Sequence, residues 1–345
     1  MVATRSSLLW ALEAKQTSPD GVKLPVAVVV PCFRTRRHIE QVVGGILGRV
    51  DHIYVVDDGC PEESGRLVAE LFDATSVTVL FHTGNQGVGA AMVTGYRQAL
   101  HDGHRIVVKM DGDGQMDPDY LTPLIAPILR GDADYTKGNR FFDVRLLHAM
   151  PRLRLIGNAC LSFVTKLSTG YWDIMDPTNG FTAVGHAALD RLDLDRLDQR
   201  YFFEADMLFR LALIRAIVQD VPMRAIYASE NSNLRVRRAV LEFSRKHAVR
   251  TFKRFVYLYL LRDFNIGSLS AVCGVPLMLY GLTFGVGQWI ESVRSGVPAT
   301  AGTVMLAVLP IILGTQLLLS AVAYDIANRP TVPLQRLFPA ASDQR

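Results

Sequence analysis

Four short runs of β-branched and apolar residues punctuate the first third of the chain: Val26 to Val30, His52 to Val56, Val77 to Phe81 and Arg105 to Met110. Each stops at a turn signal; Pro31 ends the first and Asp57-Asp58-Gly59 the second, while Asp111-Gly112-Asp113 ends the fourth. Between them, Ile39 to Leu47, Glu63 to Phe72 and Gly89 to Leu100 carry helix-like spacing. Strands this apolar are buried on both faces, and their alternation with helices predicts an α/β domain with an open, mostly parallel sheet covered by helices on both sides. Ligands of such sheets bind beyond the carboxyl ends of the strands, where the chain places Pro31, Asp57 and Asp58, and Asp111 and Asp113.

A different pattern takes over near the C-terminus. Phe264 to Ile290 and Ser295 to Tyr324 contain no Asp, Glu, Lys, Arg or His. Each exceeds the roughly 20 residues that cross a bilayer as a helix, and only Glu291 to Arg294 separate them, so a hairpin of two spans is expected. Two buried core helices are the alternative. Ser7 to Leu12 is too short for a signal-peptide core, so the preceding domain is expected to stay on the cytoplasmic side.

Composition and charge agree with this division. Hydrophobic residues make up 49% of the 345 and charged ones 20%, which excludes a disordered chain. The net charge is +4, yet Arg235 to Arg262 holds nine basic residues against Glu242 alone. That segment therefore carries +8 and the rest −4. A basic cluster before a span marks the cytoplasmic face and attracts anionic lipids. With Phe252, Phe255, Val256 and Tyr259 at helical spacing it predicts an amphipathic interfacial helix, not a nucleic-acid patch. Four cysteines without a CxxC pair indicate neither a zinc site nor a disulfide framework.

The sharpest chemical feature is Asp111-Gly112-Asp113-Gly114-Gln115. Two carboxylates at the end of a buried strand suit a divalent cation that bridges to phosphate oxygens, with Gln115 as a neutral oxygen ligand. The competing interpretation has the aspartates capping a helix that starts near Pro118. Asp57-Asp58-Gly59 offers carboxylates to a base or ribose, or simply a turn. Gly84-Asn85-Gln86-Gly87-Val88-Gly89 sits between a strand and a helix, where glycines allow close backbone approach and a helix N-terminus favours phosphate.

Taken in order, Val-Val-Pro-Cys-Phe (29 to 33), Asp57-Asp58-Gly59, Asn85-x-Gly87-x-Gly89, Asp111-x-Asp113-x-Gln115 and Gly138-Asn139-Arg140-Phe141 resemble the family 2 glycosyltransferases of GT-A fold. Asp176-Pro-Thr-Asn179-Gly180-Phe181 and the two spans narrow the resemblance to the polyprenyl-phosphate glycosyltransferases, the group of dolichol-phosphate mannose synthase and bactoprenol glucosyl transferase. It covers roughly residues 25 to 325. Together with the patterns above it divides the chain into a polar 1–24 extension, a 25–234 GT-A catalytic domain, a basic 235–262 juxtamembrane segment, two transmembrane helices over 264–324 and a tail over 325–345 that Pro330 and Pro333 mark as cytosolic and partly unstructured.

The resemblance also implies roles. Pro31, Asp58 and Asn85, with Asp57 and Gly87 nearby, line the nucleotide site. Asp111 faces ribose or phosphate, and Asp113 and Gln115 hold Mg²⁺ or Mn²⁺ against the diphosphate. Arg140 contacts phosphate, while Asp176, Asn179 and Gly180 border sugar and acceptor. The chain departs from the family pattern at Val88, where Lys is common, and at Glu230-Asn-Ser232-Asn233, where Gly-x-Ser-Lys is common; Arg235 or Arg237 is the replacement cation. Glu204, in Phe203-Glu204-Ala-Asp206, is the candidate base or, equally, a salt-bridge partner.

The expected activity is inverting transfer of one hexose from a UDP- or GDP-sugar to a polyprenyl phosphate at the membrane, with a homo-oligomer as a further expectation. A glycolipid or saccharide hydroxyl acceptor, and an inactive membrane scaffold, are the alternatives.

Overall fold

The computed structural model describes residues 24–142, 152–224 and 236–338. The four apolar runs form strands β1 (Val26–Cys32), β2 (His52–Asp57), β3 (Val77–Phe81) and β4 (Ile106–Lys109). Three further strands complete a seven-stranded sheet: β5 (Tyr135–Asn139), β6 (Thr182–Gly185) and β7 (Val218–Pro222). The order is β3-β2-β1-β4-β6-β5-β7. All pairings are parallel except those of β6, which runs antiparallel to β4 and β5.

Alternate residues of the central strands enter two separate cores, which is why these strands read as continuous apolar runs. Ala27, Val29 and Val107 pack with α3 (Val88–His101) and α7 (Phe203–Leu213). Val28, Val30 and Val108 pack with α1 (Ile39–Ile46), α2 (Ser64–Leu71) and α4 (Leu121–Leu129). Two more helices, α5 (Arg152–Thr169) and α6 (His186–Leu189), precede and follow β6. The strand order reverses between β1 and β4, so their carboxyl ends open a crevice there.

Two compact units divide the described chain. One is the sheet with its helices as far as Ala248, together with the segment from Pro330 onward; the other is Val249–Arg329. Helix α8 (Val236–Arg254) runs from the first unit into the second, where a π-helical stretch, Phe255–Arg262, follows.

The second unit is dominated by α9 (Ile266–Ser295) and α10 (Ala301–Ala327). Both are long and apolar enough to cross a membrane, with mean hydropathies of 1.7 and 2.1. Only 17% and 11% of their most apolar windows are buried, so they are not core helices of the described fold. They pair antiparallel through small residues: a Cβ on Gly281 would stand 2.8 Å from Ala307 O, and one on Gly314 3.0 Å from Gly274 O. At the ends of the pair, Asp325 accepts two bonds from Arg254, at 3.0 and 2.8 Å, and one from Tyr259.

Two boundaries differ from the sequence reading. Glu291 to Arg294 are not the connection between the helices; they form the last turns of α9, and residues 296–300 make the link, starting at Gly296 with φ 69°. Within the tail expected to be partly unstructured, the described residues 330–338 include a docked stretch. Leu334 opens the short helix α11 (Leu334–Leu337) and is 3% exposed; its amide donates to Asp134 at 2.7 Å. Gln335 Nε2 donates to Ile128 O and Ala133 O at 3.0 Å. Pro330 and Pro333 suggested disorder, but the apolar Leu334 beside a buried carboxylate gives the segment a seat.

Candidate active site

The carboxyl ends of β1, β2 and β4 carry the acidic motifs. Asp57 and Asp58 are 4% and 3% exposed and spend their oxygens locally. Asp57 accepts from Cys60 N and Gly65 N, both at 2.7 Å. Asp58 accepts from His82 Nδ1 and Gln86 N at 2.8 Å and from Gly87 N at 2.7 Å. Both carboxylates thus build the loops around the crevice. Asn85 is exposed on one of those loops.

The glycine loop has a different reason for its glycines than the one read from sequence. A Cβ on Gly87 would overlap Gln199 O, and one on Gly89 would overlap Asp198 O. Ala90 N donates to Gln199 O at 3.2 Å. The close approach at Gly87 is by the chain's own backbone.

At the end of β4, Lys109 is 1% exposed and its ammonium sits 2.6 Å from Asp111 Oδ1 and 3.1 Å from Glu204 Oε1. It also donates to Gly180 O at 3.3 Å. Lys137 is fully buried and donates to Asn179 O. Both lysines face Thr182 in the sheet register, so two ammoniums hold the adjacent carbonyls of Asn179 and Gly180 from beneath. Gly180 has no room for a side chain, because a Cβ there would meet Lys109 Nζ and stand 2.6 Å from Asp111 Oδ2. Asn179 Oδ1 accepts Phe181 N at 3.0 Å, which tightens the same turn.

Asp176 is fully buried and grips Arg140 in two-pronged fashion, Nε to Oδ2 at 2.7 Å and Nη2 to Oδ1 at 3.0 Å. This geometry fixes the guanidinium plane. Asp113 Oδ1 accepts Gln115 N at 3.0 Å, which folds the loop after Asp111. Gly112 packs that loop on the end of β1, with its Cβ position 3.4 Å from Pro31 O. Pro118 is capped by Asp117, whose Oδ1 accepts Asp119 N at 2.9 Å, and not by Asp111 or Asp113.

Structure therefore brings Asp111, Glu204 and Gly180 together through Lys109, pairs Asp176 with Arg140, and sets Pro31 beside the Asp111 loop. Arg235 lies outside the described residues, as do Glu230, Ser232 and Asn233. Lys109 and Lys137 are additions that the motifs did not signal. Lys109 was legible in principle: it interrupts an apolar strand, and Asp111, two residues on, shares its face.

Burial works against charge on both lysines, with opposite outcomes. At Lys109 the carboxylates of Asp111 and Glu204 outweigh desolvation and hold the ammonium above its ordinary value. At Lys137 desolvation wins and lowers it to about 8, against the pull of Glu204 and Asp176. Asp220, its neighbour on β7, is pushed up to about 6 by burial, despite bonds from Met175 N and Asn139 Nδ2, both at 2.9 Å.

Asp220 gives a pH prediction. Its folded value lies above the ordinary 3.8, so its contribution is fully present below that value and is lost as pH rises through about 6. Asp220→Asn removes this loss. Thermal melting should show little difference between variant and parent near pH 4. Near pH 7.5 the variant should melt about 6–12 °C higher, as roughly 3 kcal/mol implies for a domain of this size. A difference independent of pH counts against this account.

The carboxylates of Asp111 and Asp113 and the amide of Gln115 are hard oxygen donors of the chemistry that suits Mg²⁺ or Mn²⁺. Their fit is supported by Gly180, which keeps a side chain off Asp111 Oδ2, 2.6 Å from where its Cβ would stand. Among the described residues no three His, Cys, Asp or Glu side chains cluster as a complete metal cage.

The family model for glycosyl transferase family 2 matches residues 27–193. Polyprenol monophosphomannose synthase of Mycolicibacterium smegmatis is 30% identical over 62% of this chain and 84% of that protein. The chain belongs to glycosyl transferase family 2. UDP-N-acetylglucosamine–dolichyl-phosphate N-acetylglucosaminyltransferase of Methanococcus voltae is 28% identical, over 59% of this chain and 86% of its own. Among solved structures, glucosyl-3-phosphoglycerate synthase from Mycobacterium tuberculosis, in complex with Mn²⁺, UDP-glucose and phosphoglyceric acid, superposes with a TM-score of 0.50 at 18% identity. It covers 74% of this chain and 84% of its own, and shows a shared fold. This family 2 glycosyltransferase thus joins a GT-A-like sheet to two long apolar helices.

Proposed function

We propose that the enzyme transfers one hexose from a UDP- or GDP-sugar to a polyprenyl phosphate, with inversion, and that it works at the cytoplasmic face of a membrane crossed by α9 and α10. The observation that carries this reading is the likeness, over more than four-fifths of their length, to relatives named for transfer to polyprenol or dolichyl phosphate. The basic segment before the spans and the return of residues 330–338 to the catalytic unit support a hairpin with both ends on one side.

The chemistry suits a phosphate nucleophile. A lipid monophosphate has a second pKa near 6 and is mostly dianionic at neutral pH. One of its oxygens attacks the anomeric carbon, the bond from that carbon to the nucleotide diphosphate breaks, and the diphosphate leaves with the electron pair. No proton need be removed. Glu204 fits this scheme, since it is ion-paired to Lys109 and so positions that ammonium beneath Asp111. Arg140, its guanidinium plane fixed by Asp176, would contact phosphate with the N–H groups that Asp176 leaves. A divalent cation held by Asp111, Asp113 and Gln115 would offset the charge of the departing diphosphate. Leu241 and Phe252 are exposed on α8 among basic residues, as suits a helix resting on anionic lipid.

The test uses purified enzyme in detergent with polyprenyl phosphate, Mn²⁺ and labelled UDP- and GDP-hexoses. Label in an acid-labile lipid, from one donor of the panel, is expected. Failure with every donor would remove the proposal.

A further inference from the structure

The described structure contains a continuous mechanical path from the basic helix α8 to the glycine loop. It starts at Lys246, whose ammonium is 2.6 Å from Asp198 Oδ2. The two side chains are only 24% and 12% exposed, so the pair is partly shielded from solvent. Two neighbours on the same helical face reinforce it. Phe243 and His247 pack edge-on against Phe202, with ring centroids 5.5 and 4.9 Å apart. His247 Nδ1 also lies 2.8 Å from Ser168 Oγ. The face Phe243, Lys246, His247 thus clamps the segment Asp198 to Phe202.

That segment is itself the wall of the glycine loop. Asp198 N donates to Asp206 Oδ2 at 3.0 Å, and Asp206 is paired with Arg210 at 3.0 Å. With its side chain held by Lys246 and its backbone by Asp206, Asp198 presents its carbonyl, and that of Gln199, to Gly89, Gly87 and Ala90 N. On the opposite side Asp58 holds the amides of Gln86 and Gly87. The loop is pinned between a carboxylate from β2 and a wall braced by α8.

We infer that Lys246 is a positioning residue for the nucleotide-sugar donor: through Asp198 and Gln199 it sets the conformation of residues 84–90. The inference rests on the donor-site reading of that loop. Lys246 does not touch the donor; it acts through the wall.

The experiment compares the full-length enzyme with Lys246→Met, Lys246→Arg and Asp198→Asn. Asp198→Asn keeps an oxygen for Arg200 N while losing the charge and the acceptor that faces Lys246, so it serves if Lys246→Met folds poorly. Hydrogen exchange of peptides covering residues 84–90 is measured first, then titration with UDP and GDP in Mn²⁺. Faster exchange confined to that loop is expected in Lys246→Met. Binding of the nucleotide should weaken about 5- to 10-fold, the low end of coupling between linked sites. The KM for donor should rise with kcat and the acceptor KM little changed, and Lys246→Arg should restore both. Unchanged exchange and affinity, with the parent enzyme binding nucleotide normally, overturn the inference alone. A parent that binds neither nucleotide overturns the donor-site reading and the inference with it.

Discussion

Asp113→Ala is expected to lower kcat for sugar transfer by roughly 10³-fold, the size that several kcal/mol of lost charge stabilisation implies. The fold should not suffer. Asp113 is partly exposed, and its bond to Gln115 N at 3.0 Å is local to the loop. Thermal melting should therefore stay within about 2 °C of the parent, as surface changes do. Asp111→Ala should behave differently, because Asp111 also neutralises the buried Lys109 at 2.6 Å. It should lose both activity and stability. Steady-state transfer assays and melting on the two variants separate the roles. If Asp113→Ala keeps activity within tenfold of the parent, Asp113 does not hold the cation.

Lys109→Met should cost about 2–4 kcal/mol of stability, slightly below the usual cost of breaking a buried pair because Asp111 retains some solvent. The ammonium is the common partner of Asp111, Glu204 and Gly180 O. Without it, two carboxylates approach each other uncompensated, and the Asn179–Gly180 turn loses one of its two supports. Adding Glu204→Gln to Lys109→Met should recover part of the loss, since one stranded charge disappears. Denaturant melts of the single and double variants give that coupling directly. Additive losses would show that Lys109 and Glu204 do not act as one unit.

How far these features could be read from residues alone follows physical lines. β1, β2, β3 and β4 were legible because burial on both faces leaves runs such as Val26 to Val30. α9 and α10 were legible because a bilayer demands the absence of charge. β5 was not: Tyr-Thr-Lys-Gly-Asn has weak strand propensity, and it holds because β6 and β7 flank it and because Lys137 finds Asn179 O. The acidic motifs were visible, but their division of labour was not. Asp57 and Asp58 look alike in sequence to Asp111 and Asp113, yet they are buried among backbone amides of their own loops. Gly87 and Gly89 announced a close approach, and the partner proved to be Asp198 and Gln199, more than a hundred residues away. Such long-range neighbours leave no local signature. The same holds for Leu334, whose seat on Asp134 lies 200 residues upstream.

Acceptor choice is the most direct test of the account. With the donor that gives product, the enzyme is offered polyprenyl phosphate, the corresponding polyprenol and a glycolipid carrying free hydroxyls, and the labelled products are resolved by mass. A phosphate dianion that needs orientation but no deprotonation, next to a Glu204 already committed to Lys109, predicts transfer to polyprenyl phosphate only. Transfer to the alcohol or to the glycolipid hydroxyl, with polyprenyl phosphate unused, would contradict it and return Glu204 to the role of base.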